Sequence, residues 1–333
     1  MRRDGRRLLV GVDGGNTKTV ALVADADGTV VGSGWAGCSD IYNAPSPAAA
    51  LDAVREATLD ALSAAGASGD DVAAACFGLA GADWPEDFEL IRRELRPRLG
   101  FESDPLIVND AIGAIRAGTP DGVGVSVVCG TYGIAGARNT AGEVFHLGFW
   151  PDSTGARPLG RAGLEAVWRS GLGTGPETSL TERALQLYGA SSPLGLLHEY
   201  TRRGGLPAGA DHRMAAVVLD EADAGDPVAH AIVENQGRIL AGEALACARM
   251  VGMAGSPFRL VLAGGVMRHP TRLLADVIGG GIPEADTVRS TDEPVVGSLL
   301  FAFDRAGIAP DLDRLRASAP APALFDASSA WSA

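Results

Sequence analysis

The chain has 333 residues, 46% hydrophobic and 21% charged, with 28 Lys and Arg against 41 Asp and Glu. That length suits about two domains with a core each, and the formal net charge of −13 argues against non-specific nucleic-acid binding, which needs a basic surface. No stretch approaches about 18 uninterrupted apolar residues, so no membrane span is expected. The N-terminal MRRDGRRLLVGVDGG carries basic residues and then an apolar run too short for a signal peptide. Cys38, Cys76, Cys129 and Cys247 form no C-x-x-C or metal-ligand spacing, so reduced thiols in a cytoplasmic protein are expected.

The first domain reads β-β-β-α-β-α-β-α. Strands are predicted near 8–13, 19–25, 29–35, 73–79 and 105–109 from apolar runs bounded by glycines and polar turns. A helix near 46–65 follows from the period of Ala50, Val54, Ala57, Ala61 and Ala64, with Ser46 as cap, Pro47 in the first turn and Gly66 at the end. A second helix, near 85–96, starts at Pro85 with Glu86 and Asp87 at its positive end. A domain boundary is expected at the turn-rich Thr119-Pro120-Asp121-Gly122, giving domains at 1–118 and 119–317. Helices are predicted near 160–170, 178–188, 193–203, 212–224, 226–252, 268–278 and 294–306. The Pro/Ala-rich segment 318–333 is expected to be loose.

Three glycine elements interrupt this pattern. In LLVGVDGGNTKT (8–19) a buried strand stops at Asp13, and Gly14, Gly15, Asn16, Thr17 and Lys18 follow. The amides of such a turn can face a phosphate, and Asp13 can hold Mg²⁺ directly or through water. An ordinary hairpin fits the same residues equally well, with Lys18 as a solvated turn residue. The pattern recurs at 128–148, VCGTYGIAGARNTAGEVFHLG, where Gly130 and Thr131 occupy the turn. Two such β-meanders suggest a duplicated domain whose turns clamp a polyphosphate across a central cleft. The third element, LVLAGGVM (260–267), ends a strand in Gly264-Gly265. Close packing explains most such pairs.

In this order the elements resemble the phosphate-1, phosphate-2 and adenosine motifs of the actin-like ATPase superfamily of sugar kinases, actin and heat-shock chaperones. Within it, FGLAGADWPED (77–87), LIVNDAIGAIRAG (106–118) and EPVVGSLLFAFDRAG (293–307) carry a resemblance to the N-acetylglucosamine kinase branch, grouped with the BadF/BadG/BcrA/BcrD ATPases. The resemblance spans roughly 8–308. It implies an α/β fold of two actin-like (ribonuclease H-like) domains, an ATP and Mg²⁺ requirement, an amino-sugar substrate and a homodimer. It makes Asp110 the catalytic base and Asp13 the metal-assisting carboxylate. Gly14, Gly15, Asn16, Thr17, Lys18, Gly130 and Thr131 would meet the phosphates, and Gly264 and Gly265 the adenosine. Asp40, Asn43, Asn109 and Asp152 would meet the sugar. On spacing alone, Asp110 reads more readily as the N-cap of the helix it precedes, a reading the resemblance reverses, and surface turn chemistry explains Asp40 and Asn43 nearly as well.

Two stretches depart from the family. Its phosphate-2 turn is usually G-T-G-S, and here Tyr132 stands in Gly130-Thr131-Tyr132-Gly133, where a ring crowds the turn unless it points away and Gly133 takes the strained position. The family's G-D-E-G-S stretch is Asp152-Ser153-Thr154-Gly155-Ala156 when Leu159-Gly160-Arg161 sets the register, so Ser153 replaces a glutamate. Trp150 either stacks on a sugar or packs in the core, and packing is favoured. The function expected is an ATP-dependent kinase for an amino-sugar hydroxyl, most simply the 6-hydroxyl of N-acetylglucosamine. The alternatives are a related sugar kinase or a nucleotide- or sugar-binding protein with weakened catalysis. An activator of an acyl-CoA dehydratase needs a cysteine pair for an iron–sulfur cluster, and the sequence offers none.

Overall fold

In a computed structural model, residues 7–150, 153–207 and 209–320 are described. β1 (Leu8–Gly14) pairs antiparallel with β2 (Thr19–Ala24), and β2 with β3 (Val30–Ala36). On its other side β1 pairs parallel with β4 (Val72–Leu79), and β4 with β5 (Leu106–Val108), giving the order β3-β2-β1-β4-β5.

The near-continuous apolar run of β1 is explained by burial of both its faces. Leu8, Val10 and Val12 share a core with Val54, Ala57, Ala61, Phe77 and Ile91 from α1 (Pro47–Ala64), β4 and α2 (Pro85–Leu99). Leu9 points the other way, into a core with Cys76, Ile112, Ile115, Leu299 and Phe303 from β4, α3 (Asp110–Gly118) and α10 (Pro294–Ala306). Gly11 lies on this second face. A Cβ there would sit 2.3 Å from the Leu299 backbone nitrogen, so the absent side chain lets α10 press against the strand. Ser46 caps α1 by accepting the Ala49 N–H at 3.1 Å, as expected from its sequence.

A second meander follows: β6 (Gly124–Cys129), β7 (Gly133–Arg138) and β8 (Val144–Leu147). Its sheet adds β9 (Phe258–Ala263) and β10 (Ala285–Arg289), in the order β10-β9-β6-β7-β8. β9 and β10 are parallel. Read from the meander outward, both sheets follow one plan: the three meander strands in sequence, then two added strands beside the first. The fold is the duplicated α/β architecture expected from the sequence. Between β8 and β9 lie α4 (Ala156–Gly171), α5 (Leu180–Tyr188), α6 (Pro193–Thr201), α7 (Met214–Asp223) and α8 (Pro227–Met250). α9 (Leu273–Gly280) joins β9 to β10, and α11 (Leu312–Ser318) follows α10.

The described residues form two compact units, 7–126 with 137–146 and 290–320, and 127–136 with 147–289. This differs from a division at residue 119. The 294–306 helix, expected in the second domain, belongs to the first unit because Leu299, Leu300 and Phe303 complete the core behind β1. Three further differences are local. The predicted 268–278 helix is a 3-10 turn, Val266–Arg268, then α9, because His269 precedes Pro270 and adopts the extended backbone that position demands. β10 and α11 were not foreseen. Of the segment expected to be loose, Ser318 ends α11 and accepts the Val30 N–H at 2.9 Å, and 321–333 lie outside the described residues.

Candidate active site

In the first unit, the turn after β1 is closed by the Gly15 N–H donating to the Lys18 carbonyl at 2.9 Å. It is tied to its surroundings through Gly14 O, which accepts the Ala80 N–H at 2.7 Å, and Gly15 O, which accepts the Ser39 N–H at 3.1 Å. A Cβ on Gly15 would meet nothing nearer than the Lys18 carbonyl at 3.7 Å, so one side of the turn is open to an approaching group. Ser39 Oγ is buried against Gly14 and has no hydrogen-bond partner among the described residues. A buried orphan hydroxyl beside an open glycine turn fits an oxygen-rich ligand such as a polyphosphate.

Asp13 sits in β1 opposite Val20 of β2 and Gly78 of β4. Burial pushes its carboxyl up to about 7; Lys18 counteracts this and Glu293 adds to it. Asp110 is also raised to about 7, first by burial and then by the charges of Asp13 and Asp83, with His146 and the Ala111 N–H opposing. Paired carboxylates held partly protonated in this way are what a divalent cation would relieve. Among the described residues no group of three or more His, Cys, Asp or Glu could hold a metal alone. The remaining ligands of a Mg²⁺ at Asp13 would be phosphate oxygens and water, its usual partners.

The helix cap belongs to Asn109, whose Oδ1 accepts the Ala111 N–H at 3.0 Å. Asp110 is therefore the first residue of α3, and the cap reading of Asp110 falls away. Asn109, 1% exposed, also donates from Nδ2 to Asp83 Oδ1 at 3.1 Å, and that same oxygen lies 3.3 Å from His146 Nε2. The Asn109 side chain is thus engaged within the protein. Asp40 is 5% exposed and builds its loop: Oδ1 accepts the Tyr42 N–H at 2.8 Å and Oδ2 accepts from Asn43 Nδ2 at 2.7 Å. Asn43 is exposed. Tyr42 is fixed in turn by its hydroxyl donating to Asp87, which also accepts the Trp84 N–H.

In the second unit, the turn between β6 and β7 is bound at every residue. The Gly130 N–H donates to Tyr132 O at 3.1 Å, and Gly130 O accepts the Ala156 N–H at 2.9 Å. Thr131 O accepts the Arg157 N–H at 3.1 Å, and the Gly133 N–H donates to Thr154 O at 2.9 Å. No described non-glycine residue has positive φ, and Gly133 does not either. The strained residue is Gly155, at φ 113°, where a Cβ would lie 2.4 Å from Tyr132 Cα. The expected strain at Gly133 is thus displaced onto the neighbouring loop, whose Gly155 N–H donates to Gln236 Oε1 at 3.1 Å.

Gly264, at φ 95°, follows β9, and a Cβ there would lie 2.6 Å from Cys129 O. This brings the Gly264-Gly265 pair against the strand that feeds the Gly130 turn. Trp150 is 60% exposed and meets Phe149 edge-on at 6.5 Å, so the favoured core packing of Trp150 is wrong. Asp152 lies outside the described residues. Sequence reasoning missed Asp83, His146, Arg157 and Asp211, which tertiary contact alone brings beside the motifs.

Residues 10–160 match the model of the BadF/BadG/BcrA/BcrD ATPase family. The resemblance read from the sequence is real. The chain is 25% identical over 303 residues to an N-acetylmuramic acid/N-acetylglucosamine kinase of Clostridium acetobutylicum, covering 89% of this chain and 98% of that protein. It is 24% identical over 326 residues to an N-acetyl-D-glucosamine kinase of Dictyostelium discoideum, covering 90% and 98%. Among solved structures, a Chromobacterium violaceum protein described as an N-acetylglucosamine kinase superposes with a TM-score of 0.66 at 24% identity, over 90% of this chain and all of that one.

Proposed function

We propose that the chain is an ATP-dependent sugar kinase that transfers the γ-phosphoryl group to a hydroxyl of an amino sugar, with the 6-hydroxyl of N-acetylglucosamine as the simplest acceptor. The observation that carries this reading is Asp110, which Asn109 relieves of the helix cap and whose carboxyl is raised to about 7 in the same unit as the Gly14–Lys18 turn. A carboxylate near neutrality can accept the proton of the attacking hydroxyl as it meets phosphorus. Phosphoryl transfer asks little covalent help, so the other residues position and stabilise charge. Asp13 would hold Mg²⁺, which neutralises phosphate charge when bound. The Gly14–Lys18 turn and the Gly130-Thr131 turn would bind the phosphates, and Gly264-Gly265 the adenosine. Asn43 and Asp152 would border the sugar, with the buried Asp40 and Asn109 shaping the loop and the helix start behind it. The Clostridium relative's name adds N-acetylmuramic acid as a second acceptor for trial.

The dehydratase-activator alternative loses support. Three of the four cysteines are buried, and burial raises the thiols of Cys76, Cys129 and Cys247, which disfavours the thiolates that a cluster needs. No helix among the described residues is long and apolar enough to cross a membrane. We place the enzyme in the cytoplasm as a homodimer, a state that sedimentation would check.

The deciding experiment is Mg²⁺- and ATP-dependent ADP release with N-acetylglucosamine, N-acetylmuramic acid, glucosamine, N-acetylmannosamine, glucose and no sugar, with Asp110→Asn as control. Sugar-stimulated release that the variant loses supports the proposal. Full turnover in Asp110→Asn sinks the assigned base. No ADP release with any sugar of the panel, from protein that still binds ADP, favours the binding-protein alternative.

A further inference from the structure

Tyr132 is the residue that sets the β6–β7 turn apart, and it is not left to itself. Its hydroxyl accepts from Arg157 Nη1 at 2.8 Å, and the Arg157 guanidinium lies over its ring, 5.7 Å from the centroid. Arg157 continues to Asp211, with Nε donating to Oδ1 at 3.3 Å. Asp211 is 3% exposed. It also accepts the His212 N–H at 3.1 Å, and Tyr200 OH donates to its Oδ2 at 3.4 Å. The Arg157 backbone N–H meanwhile holds Thr131 O. One arginine therefore grips two successive turn residues, one by its main chain and one by its side chain, and a buried carboxylate fixes it.

We propose that the Tyr132–Arg157–Asp211 chain is a strap that positions the phosphate-2 turn for a nucleoside diphosphate or triphosphate. The inference rests on the kinase reading above. A small residue at position 132 needs no restraint, because nothing hangs over the turn amides. A tyrosine does, since a free ring sweeps the space in front of them. Arg157 holds the ring by stacking and by its hydroxyl, two contacts that act together to fix direction. Asp211 holds the guanidinium, and the loss of its partner would leave a buried charge unpaired. Turn amides fixed before binding lose no freedom when phosphate arrives. Arg157 and Asp211 act through the turn and are positioning residues.

The strap predicts a specific coupling. Arg157→Ala frees the ring and weakens ADP binding, while Tyr132→Gly in the same background removes the ring that needed restraint and restores binding. ADP affinity is measured by isothermal titration calorimetry without sugar, on full-length wild type, both single variants and the double variant. Arg157→Ala is expected to weaken ADP about tenfold and the double variant to regain most of that loss. Tyr132→Phe, which keeps the ring and removes only its hydroxyl, serves if Arg157→Ala does not fold, and a several-fold loss at unchanged Tm is expected. Wild-type affinity in folded Arg157→Ala or in Tyr132→Phe overturns the strap. So does a double variant no better than Arg157→Ala, which would make Arg157 a general support. A wild type that binds no ADP overturns the kinase reading and the strap with it, a result distinct from both.

Discussion

Asn109 and Asp110 divide two tasks at the start of α3: Asn109 Oδ1 caps the helix through the Ala111 N–H, and Asp110 stands free of that duty as its first residue. The same Ala111 N–H lies 3.0 Å from Asp110 Oδ1, so the carboxylate is oriented without being consumed. Asp110→Asn keeps shape and removes the base. Sugar-dependent turnover is expected to fall about 10²–10⁴-fold, the usual range for losing a general base. ADP affinity by calorimetry should remain within about twofold of wild type, since the side chain is not assigned to the nucleotide. A kcat near wild type would remove Asp110 from the mechanism.

The charges around Asp110 set a pH profile. Its carboxyl, raised to about 7, must lose a proton to act as base, so kcat/KM should rise with pH through a limb near neutrality. Asp83 raises the carboxyl and His146 lowers it. Asp83→Asn should therefore move the limb to lower pH, and His146→Gln should move it higher. Profiles from pH 5 to 9 for the three proteins test the signs, and a shift of either variant in the opposite direction contradicts the assignment.

Stability should move the other way with pH. In the folded chain Asp110 holds its proton up to about 7, against 3.8 for the ordinary value, so between these the folded state binds more protons than the unfolded one. The contribution of Asp110 is then largest at low pH and is lost as pH rises through that window. Asp110→Asn carries no such penalty. Its Tm relative to wild type should gain about 5–10 °C between pH 5 and pH 8 without ligand, the size of the roughly 2–3 kcal/mol that a shift from 3.8 to about 7 releases over that range. A constant gap across that range would show that the Asp110 titration does not couple to folding.

Much of the fold was legible because its signals are local. The apolar run of β1 stops at a glycine turn, Ser46 and Pro47 announce α1, and Pro294 and Gly307 bracket α10. The assignment of α10 was not legible, since nothing in PVVGSLLFAFDRA says which sheet it covers. Gly11, a gap in β1 shaped for the Leu299 backbone, records the partnership, as do Gly78 and Gly113 beside Ser298, but none of them names its partner in the sequence. β10 was missed because Asp286 and Thr287 are exposed and give no apolar alternation. The site divides in the same way. Contiguous motifs such as Gly14–Lys18 can be read from sequence, whereas Asp83 with His146, or Tyr132 with Arg157 and Asp211, meet only through the folded chain.

The loop at 39–43, proposed above to border the sugar, separates an accessible residue from a structural one. Both Asp40 carboxylate oxygens are used within the loop, and Asn43, which donates to one of them, is exposed. Asn43→Ala should raise the sugar KM about tenfold, the scale of one hydrogen bond to a bound ligand, and leave ADP affinity unchanged. Asp40→Ala should lower Tm as well, because it strips partners from the Tyr42 N–H and Asn43 together. An unchanged KM in Asn43→Ala would take Asn43 out of the acceptor site.

The two glycine elements should respond oppositely to an added methyl. At Gly264, φ is 95° and a Cβ would lie 2.6 Å from Cys129 O, so Gly264→Ala must strain its own backbone and push that of Cys129. A loss of about 1–3 kcal/mol is expected from the backbone conformation alone, seen as a lower Tm. At Gly15 the space is open, with the nearest atom 3.7 Å away, and its φ is not among the positive values. Gly15→Ala should fold as well as wild type. Its methyl would instead project from the turn where phosphate is expected, so ADP affinity should drop while Tm holds. Equal affinity in Gly15→Ala would mean that the open side of this turn does not face the nucleotide, and the orphan hydroxyl of Ser39 would then need a different ligand.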